Sequence, residues 1–163
     1  MRAAARRRTG SRTSAGQEET AMKIAELLAT QVREVITVPV RTPVSDVVRM
    51  LSRERIGAVP VVDGEQVVGI MSERDVIVCL AEAGGGTLEV AVEKAMTSPP
   101  VTVTPEMTIL GGLALMTHRR IRHLVVIREG AMVGFVSIGD LVKARIDVIE
   151  SEAAAMRDYI QGA

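Results

Sequence analysis

The sequence almost lacks aromatic residues, with one Phe, one Tyr and no Trp among 163 residues. Aromatic side chains are the largest apolar groups available to a protein core. The core of this protein must therefore be built from Val, Ile, Leu, Met and Ala. At this length the chain forms one domain or a tight pair of small ones.

The chain also has a single cysteine, Cys79. An intrachain disulfide is therefore impossible, which favours a reducing compartment, and we expect a cytoplasmic location. No apolar run reaches the length of a membrane span, so no membrane partner is expected. The formal net charge is zero, and beyond residue 21 the chain is slightly acidic, which argues against nucleic-acid binding by the folded part.

Residues 1–21 contain five Arg and almost no apolar periodicity, which predicts a disordered tail. Three interpretations remain open. The tail could be a transit peptide, which would place the protein in the mitochondrial matrix, or a basic arm for nucleic acid or anionic lipid. It could also be an inert extension, which is favoured because Met22-Lys23-Ile24 begins an apolar pattern at once.

One motif occurs twice in the chain. The stretches from Gly69 to Asp75 and from Gly134 to Asp140 both read Gly-x-x-Ser-x-x-Asp, and each follows a short apolar run. The two stretches are 65 positions apart, and the same offset of 65 aligns residues 36–75 with residues 101–140 without a gap. The chain is therefore predicted to contain one supersecondary unit twice, with the two copies packed face to face by approximate two-fold symmetry.

The motif alone has a structural explanation. If Ser72 or Ser137 begins a helix, its hydroxyl caps the helix. Asp75 or Asp140 then lies on the first turn, where a carboxylate suits the positive helix end. Such capping boxes occur in many proteins, and it is the duplication that favours a functional interpretation.

Apolar periodicity and turn residues predict the same order in both copies: strand, helix, strand, strand, helix. The predicted fold class is α/β (α+β), with two β-α-β-β-α repeats at residues 22–86 and 87–163. In the first copy we expect a lead helix at 24–31, strands at 35–38, 58–62 and 66–71, and helices starting at 44 and 72. In the second we expect a lead helix at 90–96, strands at 101–103, 123–127 and 132–136, and helices at 109–118 and 137–159.

The last helix is predicted to be longer than its counterpart in the first copy. Its extension carries a series of apolar residues: Ile146, Val148, Ile149, Ala153, Met156 and Ile160. We expect this extension to contact a partner subunit, so that the protein is a homodimer.

Two such units, each ending in a strand, Gly-x-x-Ser-x-x-Asp and a helix, resemble tandem cystathionine β-synthase (CBS) domains, the pair called a Bateman module. The resemblance covers about residues 22–145. The segments 70–75 and 137–146 are similar to those of small stand-alone bacterial CBS-pair proteins, a group with a mitochondrial plant member.

The resemblance implies that adenosine compounds bind in two clefts between the paired sheets: AMP first, then ADP, ATP or NAD(H). It implies that Asp75 and Asp140 accept hydrogen bonds from the ribose, with Ser72 and Ser137 close to the ribose and phosphate. Strand residues would hold the adenine: Thr37, Val38, Ala58, Thr102, Val103, His123 and Leu124.

The two clefts are not expected to be equal, because Arg122 and His123 occur only in the second copy. A guanidinium group matches phosphate geometry, so the second cleft is expected to take the phosphorylated ligand. A solvated turn is the alternative, and it is nearly as well supported for Arg119 and Arg120. Arg74 could reach a phosphate across the module or pair with a neighbouring acid.

No residue pattern indicates catalysis. Cys79 lies on an apolar helix with no His predicted near it, and His118 and His123 lack further ligands at metal spacing. The glycines at 84–86 lack the Lys-Ser/Thr of a P-loop. We expect a non-enzymatic regulatory module without a catalytic cofactor, acting on a target protein in trans. The alternative is an interaction protein that regulates a partner enzyme without a nucleotide signal.

Overall fold

The structure is a computed structural model, and it describes residues 21–31 and 34–161. The predictions for residues 1–20 lie outside the described residues. The helices are α1 Ile24–Thr30, α2 Val44–Glu54, α3 Glu73–Ala83, α4 Ile109–Arg119 and α5 Ile138–Gln161. The strands are β1 Val38–Pro39, β2 Ala58–Asp63, β3 Gln66–Ser72, β4 Thr102–Val103, β5 His123–Arg128 and β6 Ala131–Ser137.

Each repeat forms one three-stranded sheet, in the orders β1-β2-β3 and β4-β5-β6. The first strand is parallel to the second in both sheets, with Val38 opposite Val61 and Val103 opposite Val126. The two remaining strands form an antiparallel hairpin with the same register shift in each copy. The predicted fold class, with two β-α-β-β-α repeats, is confirmed.

The first strand of each repeat is shorter than predicted. β1 covers only Val38–Pro39, and the described backbone from 34 to 37 is not in a strand. Pro39 has no N–H to donate, and the next backbone hydrogen bond, from Val40 N to Val62 O at 3.0 Å, leads directly into a turn. The strand ends there because the chain must turn towards α2.

The segment predicted as a lead helix at 90–96 is mostly not helical. Only Val92–Lys94 forms a short 3-10 helix, and another 3-10 helix covers Gly84–Glu89. The backbone is instead bonded to the loop before α2: Val44 N donates to Val90 O, and Val92 N donates to Thr42 O. These bonds hold the segment against the first repeat.

The lead segments are exchanged between the repeats. Ile24 and Leu27 of α1 are buried in the second core, with Met116, Leu124 and Leu141. The 92–96 segment, with Val92 fully buried, packs into the first core instead. Each repeat is therefore completed by a segment that precedes the other one in the chain.

This exchange explains the glycine of the repeated motif. A Cβ atom on Gly134 would lie 2.5 Å from Cδ2 of Leu28 on α1. A Cβ atom on Gly69 would meet the sulfur of Met96 and lie 3.0 Å from the carbonyl oxygen of Thr97. Strands β3 and β6 carry glycine at this position because the lead segment crosses directly over it.

The last helix extends well beyond the second core. Only Leu141 and Ala144 are buried on α5, and every residue from 149 to 161 is exposed. The predicted helix to about Tyr159 is confirmed to within two residues. Among the described residues, no helix is both long and apolar enough to cross a membrane.

Candidate functional site

A cleft of ≈ 340 Å³ lies between the two repeats. Its volume is at the lower end of the range for small-molecule sites. Both repeats and the segment that joins them line it: Gly57, Ile70 and residues 72–75 from the first, Thr97, Pro100 and Val101 from the connection, and residues 120–123 and 137–139 from the second.

Helices α3 and α5 both begin at this cleft, and each begins with a capping box. Ser72 Oγ accepts from Asp75 N at 3.3 Å, while Ser72 N and Oγ both donate to Asp75 Oδ2, at 2.7 and 2.5 Å. Ser137 and Asp140 repeat this arrangement at 3.2, 2.7 and 2.6 Å. The capping function is therefore realised in both copies, and it engages one oxygen of each carboxylate.

The two aspartates differ at their other oxygen. Asp75 lines the cleft, and its Oδ1 accepts a hydrogen bond from the hydroxyl of Thr97 at 2.7 Å. In the part of the chain that the structure describes, the hydrogen bonds to the Asp140 carboxylate all go to Oδ2. Asp140 does not line the cleft, so of these two aspartates it is Asp75 that does.

Three arginines contribute positive charge to the same cleft as these carboxylates. Arg74, Arg120 and Arg122 line the cleft, and across residues 21–31 and 34–161 none of them forms an ion pair. Arg74 Nη1 donates to the carbonyl oxygen of Arg120 at 3.0 Å, which joins the two repeats. Since Glu73 and Asp75 are the carboxylates of the lining, positive charge is in excess and suits an anion.

His123 closes one side of the cleft. Its ring stacks on Phe135 with centroids 5.3 Å apart and planes 9° from parallel. Burial lowers the pKa of His123 below 6.5, Arg122 lowers it further, and Asp140 and Glu73 act in the opposite direction. This shift favours the neutral imidazole at pH 7, which can both donate and accept a hydrogen bond.

The structure brings together about half of the residues that the sequence predicted for the site. The cleft is lined by these: Ser72, Arg74, Asp75, Arg122, His123 and Ser137. The remaining ones do not line it: Thr37, Val38, Ala58, Thr102, Val103, Leu124 and Asp140. Of these, Val38, Ala58, Val103 and Leu124 are buried, because their side chains face the interior.

The grouping of the predicted residues also differs. The sequence predicted Arg122 and His123 in one cleft with Asp140, whereas in the structure they line a cleft with Asp75 of the other repeat. Three residues that the sequence did not predict for the site also line the cleft: Glu73, Thr97 and Val101. For Arg120 the sequence left a phosphate-binding role and a solvated turn both open. The residue ends α4 in the left-handed conformation at φ 54° and also lines the cleft.

Across residues 21–31 and 34–161, no group of three or more His, Cys, Asp or Glu side chains is placed to hold a metal ion. Cys79 lies away from the cleft on α3, half-buried, with its sulfur 3.8 Å from the carbonyl oxygen of Ala95.

Comparisons with known proteins identify both repeats. The family model described as CBS domain matches residues 24–82 and 92–147. The mitochondrial CBS domain-containing protein CBSX3 of Arabidopsis thaliana is 39% identical over 124 residues, 73% of this chain. The match spans 60% of that relative, less than two thirds of its length.

Two solved structures extend the comparison. A CBS-domain containing protein from Agrobacterium tumefaciens is 36% identical with a TM-score of 0.73, covering 77% of this chain and 94% of that one. A CBS domain protein from Pyrobaculum aerophilum, solved in complex with AMP, is 26% identical with a TM-score of 0.68. That match covers 79% of this chain and 97% of the archaeal one.

Proposed function

The chain belongs to the CBS-domain family, and we propose that it is a regulatory module that binds an adenine nucleotide in the cleft between its two repeats. The observation that carries this proposal is the composition of the cleft. Two carboxylates, Asp75 and Glu73, and three arginines line the same ≈ 340 Å³ space. The AMP complex of the archaeal relative shows that a protein of this family accepts such a ligand.

The carboxylate suits the ribose. A cis-diol donates two hydrogen bonds, and Asp75 Oδ1 already accepts one from the hydroxyl of Thr97 at 2.7 Å. A ribose hydroxyl would share this oxygen or replace Thr97. Asp75 Oδ2 is held by Ser72, so the carboxylate is fixed in position before the ligand arrives.

The basic residues suit the phosphate. Arg120 and Arg122 carry forked donors that match phosphate oxygens. The first turns of α3 and α5 add the positive ends of two helix dipoles, although the N–H groups of Glu73, Asp75, Ile138 and Asp140 there already donate within the protein. The apolar lining residues Ile70, Val101 and Ile121 leave a surface against which an adenine ring can pack.

The size of the cleft favours AMP over larger ligands. A volume of ≈ 340 Å³ is near the lower limit of the roughly 300–1,000 Å³ typical of ligand sites. AMP is the smallest of the candidate nucleotides. ADP and ATP would extend their phosphates past the arginines, and NAD(H) would need further space outside the cleft.

We propose that the module acts without catalysis of its own, on a target protein in trans. A ligand that contacts Asp75 on one repeat and Arg122 on the other bridges the two units. It therefore shifts the population of the module towards the arrangement of the repeats that fits the ligand best. A target that binds this arrangement then responds to the ligand. No catalytic cofactor is part of this proposal.

Two further proposals concern assembly and location. Ile77 and Val78 on α3 are 67% and 46% exposed, and we propose that such apolar helix surfaces pair two copies into a homodimer. We propose a cytoplasmic location, with the mitochondrial matrix as the alternative if residues 1–21 are a transit peptide. The name of the Arabidopsis relative supports that alternative.

In a second candidate function, the protein regulates a partner enzyme by binding it, and no nucleotide occupies the cleft between the repeats. Its support is that Asp75 already has protein donors at both oxygens, Ser72 and Thr97. In that case partner binding would not depend on any nucleotide.

Calorimetric titration of the full chain tests the proposed function. The ligands are AMP, ADP, ATP and NADH. Two controls each retain part of AMP: adenosine has the adenine and ribose, and inorganic phosphate has the phosphate alone. We expect micromolar affinity for AMP and binding at least about tenfold weaker for either control, since each loses one set of contacts. No heat with any nucleotide would instead favour the interaction protein.

A further inference from the structure

Helix α5 continues past the second repeat into solvent. The family match ends at residue 147, whereas α5 runs to Gln161, and every residue from 149 to 161 is exposed. An isolated helix of roughly 12–15 residues is only marginally stable in water. The extension therefore gains stability from any surface that covers one of its faces.

One face of this helix carries an unbroken apolar seam. The residues are Val142, Ile146, Ile149, Ala153, Met156 and Ile160, at spacings that alternate between four and three. The large side chains are all uncovered, from 43% exposure at Val142 to 68% at Ile160. Alternating spacings of this kind are the a and d positions of a heptad, which predict a left-handed two-helix coiled coil.

The charged residues beside the seam identify the partner. Arg145 and Glu152 occupy g positions, and Glu150 and Arg157 occupy e positions. In a parallel pair in register, each g residue lies beside the e residue five positions later on the other helix. This places Arg145 beside Glu150 of the partner subunit and Glu152 beside Arg157 of the partner subunit, two attractive contacts that symmetry doubles.

The same four side chains are available for these contacts. Within the part of the chain that the structure describes, none of them forms an ion pair. A fully overlapping antiparallel pair would place Glu150 near Glu150 and Glu152 near Glu152 of the other copy. Like charges at these distances repel, so the parallel orientation is the favoured one.

We propose that residues 142–161 of two copies form a parallel, in-register, two-stranded coiled coil. Ile at the a positions 146 and 160 suits two strands, and the small Ala153 between them lets the helices approach closely. The pairing is independent of the nucleotide cleft, because no residue of the seam lines it. It therefore forms in the ligand-free protein.

Disulfide trapping in the full chain tests the orientation. In a Cys79→Ser background, Met156→Cys places a thiol at a d position, next to its own copy in a parallel pair. Asp158→Cys is the control on the opposite face of the same helix. We expect mild oxidation to link Met156→Cys into dimers, with at least about tenfold less product from Asp158→Cys. Equal yields, or none from Met156→Cys, would overturn the proposal.

Charge reversal tests the partner. Arg145→Glu with Arg157→Glu makes all four flanking positions acidic, and Glu150→Arg with Glu152→Arg makes them all basic. Combined with Met156→Cys, each form alone should lose most of its disulfide dimer, and a mixture should form the mixed dimer. Thermal unfolding of each variant verifies the fold. Undiminished dimer in each separate form would show that these charges do not pair and would overturn the proposal.

Discussion

The guanidinium of Arg74 donates a hydrogen bond to the carbonyl oxygen of Arg120, 3.0 Å away and 46 positions along the chain. Arg74 lies on the first turn of α3, and Arg120 ends α4 in the other repeat. The bond joins the two sides of the cleft. It also uses only one nitrogen of Arg74, so other donors of the same side chain remain for a ligand.

Replacing Arg74 should weaken nucleotide binding. Arg74→Gln removes a positive charge from the cleft and loosens the link to Arg120, so we expect AMP affinity to fall by about tenfold to a hundredfold, the value of a charge-assisted contact. The matched control is Arg49→Gln on α2, where Arg49 is exposed and pairs only with Asp46. Calorimetry should show unchanged affinity in the control, and equal losses in both variants would contradict the account.

Protonation of His123 should destabilise the folded protein. Burial lowers its pKa below 6.5 in the folded state, so the unfolded chain takes up the proton first as the pH falls. The stabilisation present above pH 6.5 is lost as the pH falls below that value, and the loss levels off below the folded-state pKa. Urea unfolding at pH 7.5 and 5.5 should show a smaller difference for His123→Gln than for the wild type.

The other histidine provides the control for that measurement. His118 is exposed on α4, and His118→Gln should leave the pH dependence of the unfolding free energy as it is in the wild type. If the free energy of unfolding of His123→Gln depends on pH as strongly as that of the wild type, groups other than His123 produce the pH dependence, which would contradict the prediction.

The exchanged lead helix makes a prediction about Gly134. Gly134→Ala would place a Cβ atom 2.5 Å from Leu28 of α1, and overpacking of this kind costs about 1–3 kcal/mol of unfolding free energy. Leu28→Ala in the same chain should recover part of the loss, which a double-mutant cycle measures. Gly139→Ala is the control, since its nearest neighbour would be 3.6 Å away; additive effects of Gly134→Ala and Leu28→Ala would contradict the packing.

The sequence predicted the repeat, the order of elements and the capping boxes because each of these is a local property. Gly64, for example, has φ 60° in the hairpin turn between β2 and β3, as expected for a glycine after Asp63. The Ser72 and Asp75 pair is likewise fixed by four consecutive residues.

The exchange of the lead segments was not predictable in the same way. Ile24 and Leu27 form an apolar face that fits either core equally well by hydrophobicity. Which core receives it depends on backbone hydrogen bonds such as Ile24 N to Met107 O at 2.9 Å, which join residues far apart in the chain.

The composition of the cleft was missed for a related reason. Alignment of the repeats pairs Asp75 with Asp140 and so assigns each aspartate to the arginines of its own copy. The packing of one sheet against the other instead brings Asp75 to the same cleft as Arg122. The contribution of Thr97 depends on the same packing, because it comes from the connection between the repeats.

Calorimetric titration of the full chain with AMP, comparing the wild type with Asp75→Asn and Asp140→Asn, tests the central claim most directly. Both substitutions alter the same capping arrangement, but only Asp75 lines the cleft. We expect micromolar binding by the wild type and by Asp140→Asn, and a loss of at least about tenfold in Asp75→Asn. Binding that depends on Asp140 and not on Asp75, or no binding by the wild type, would contradict the account.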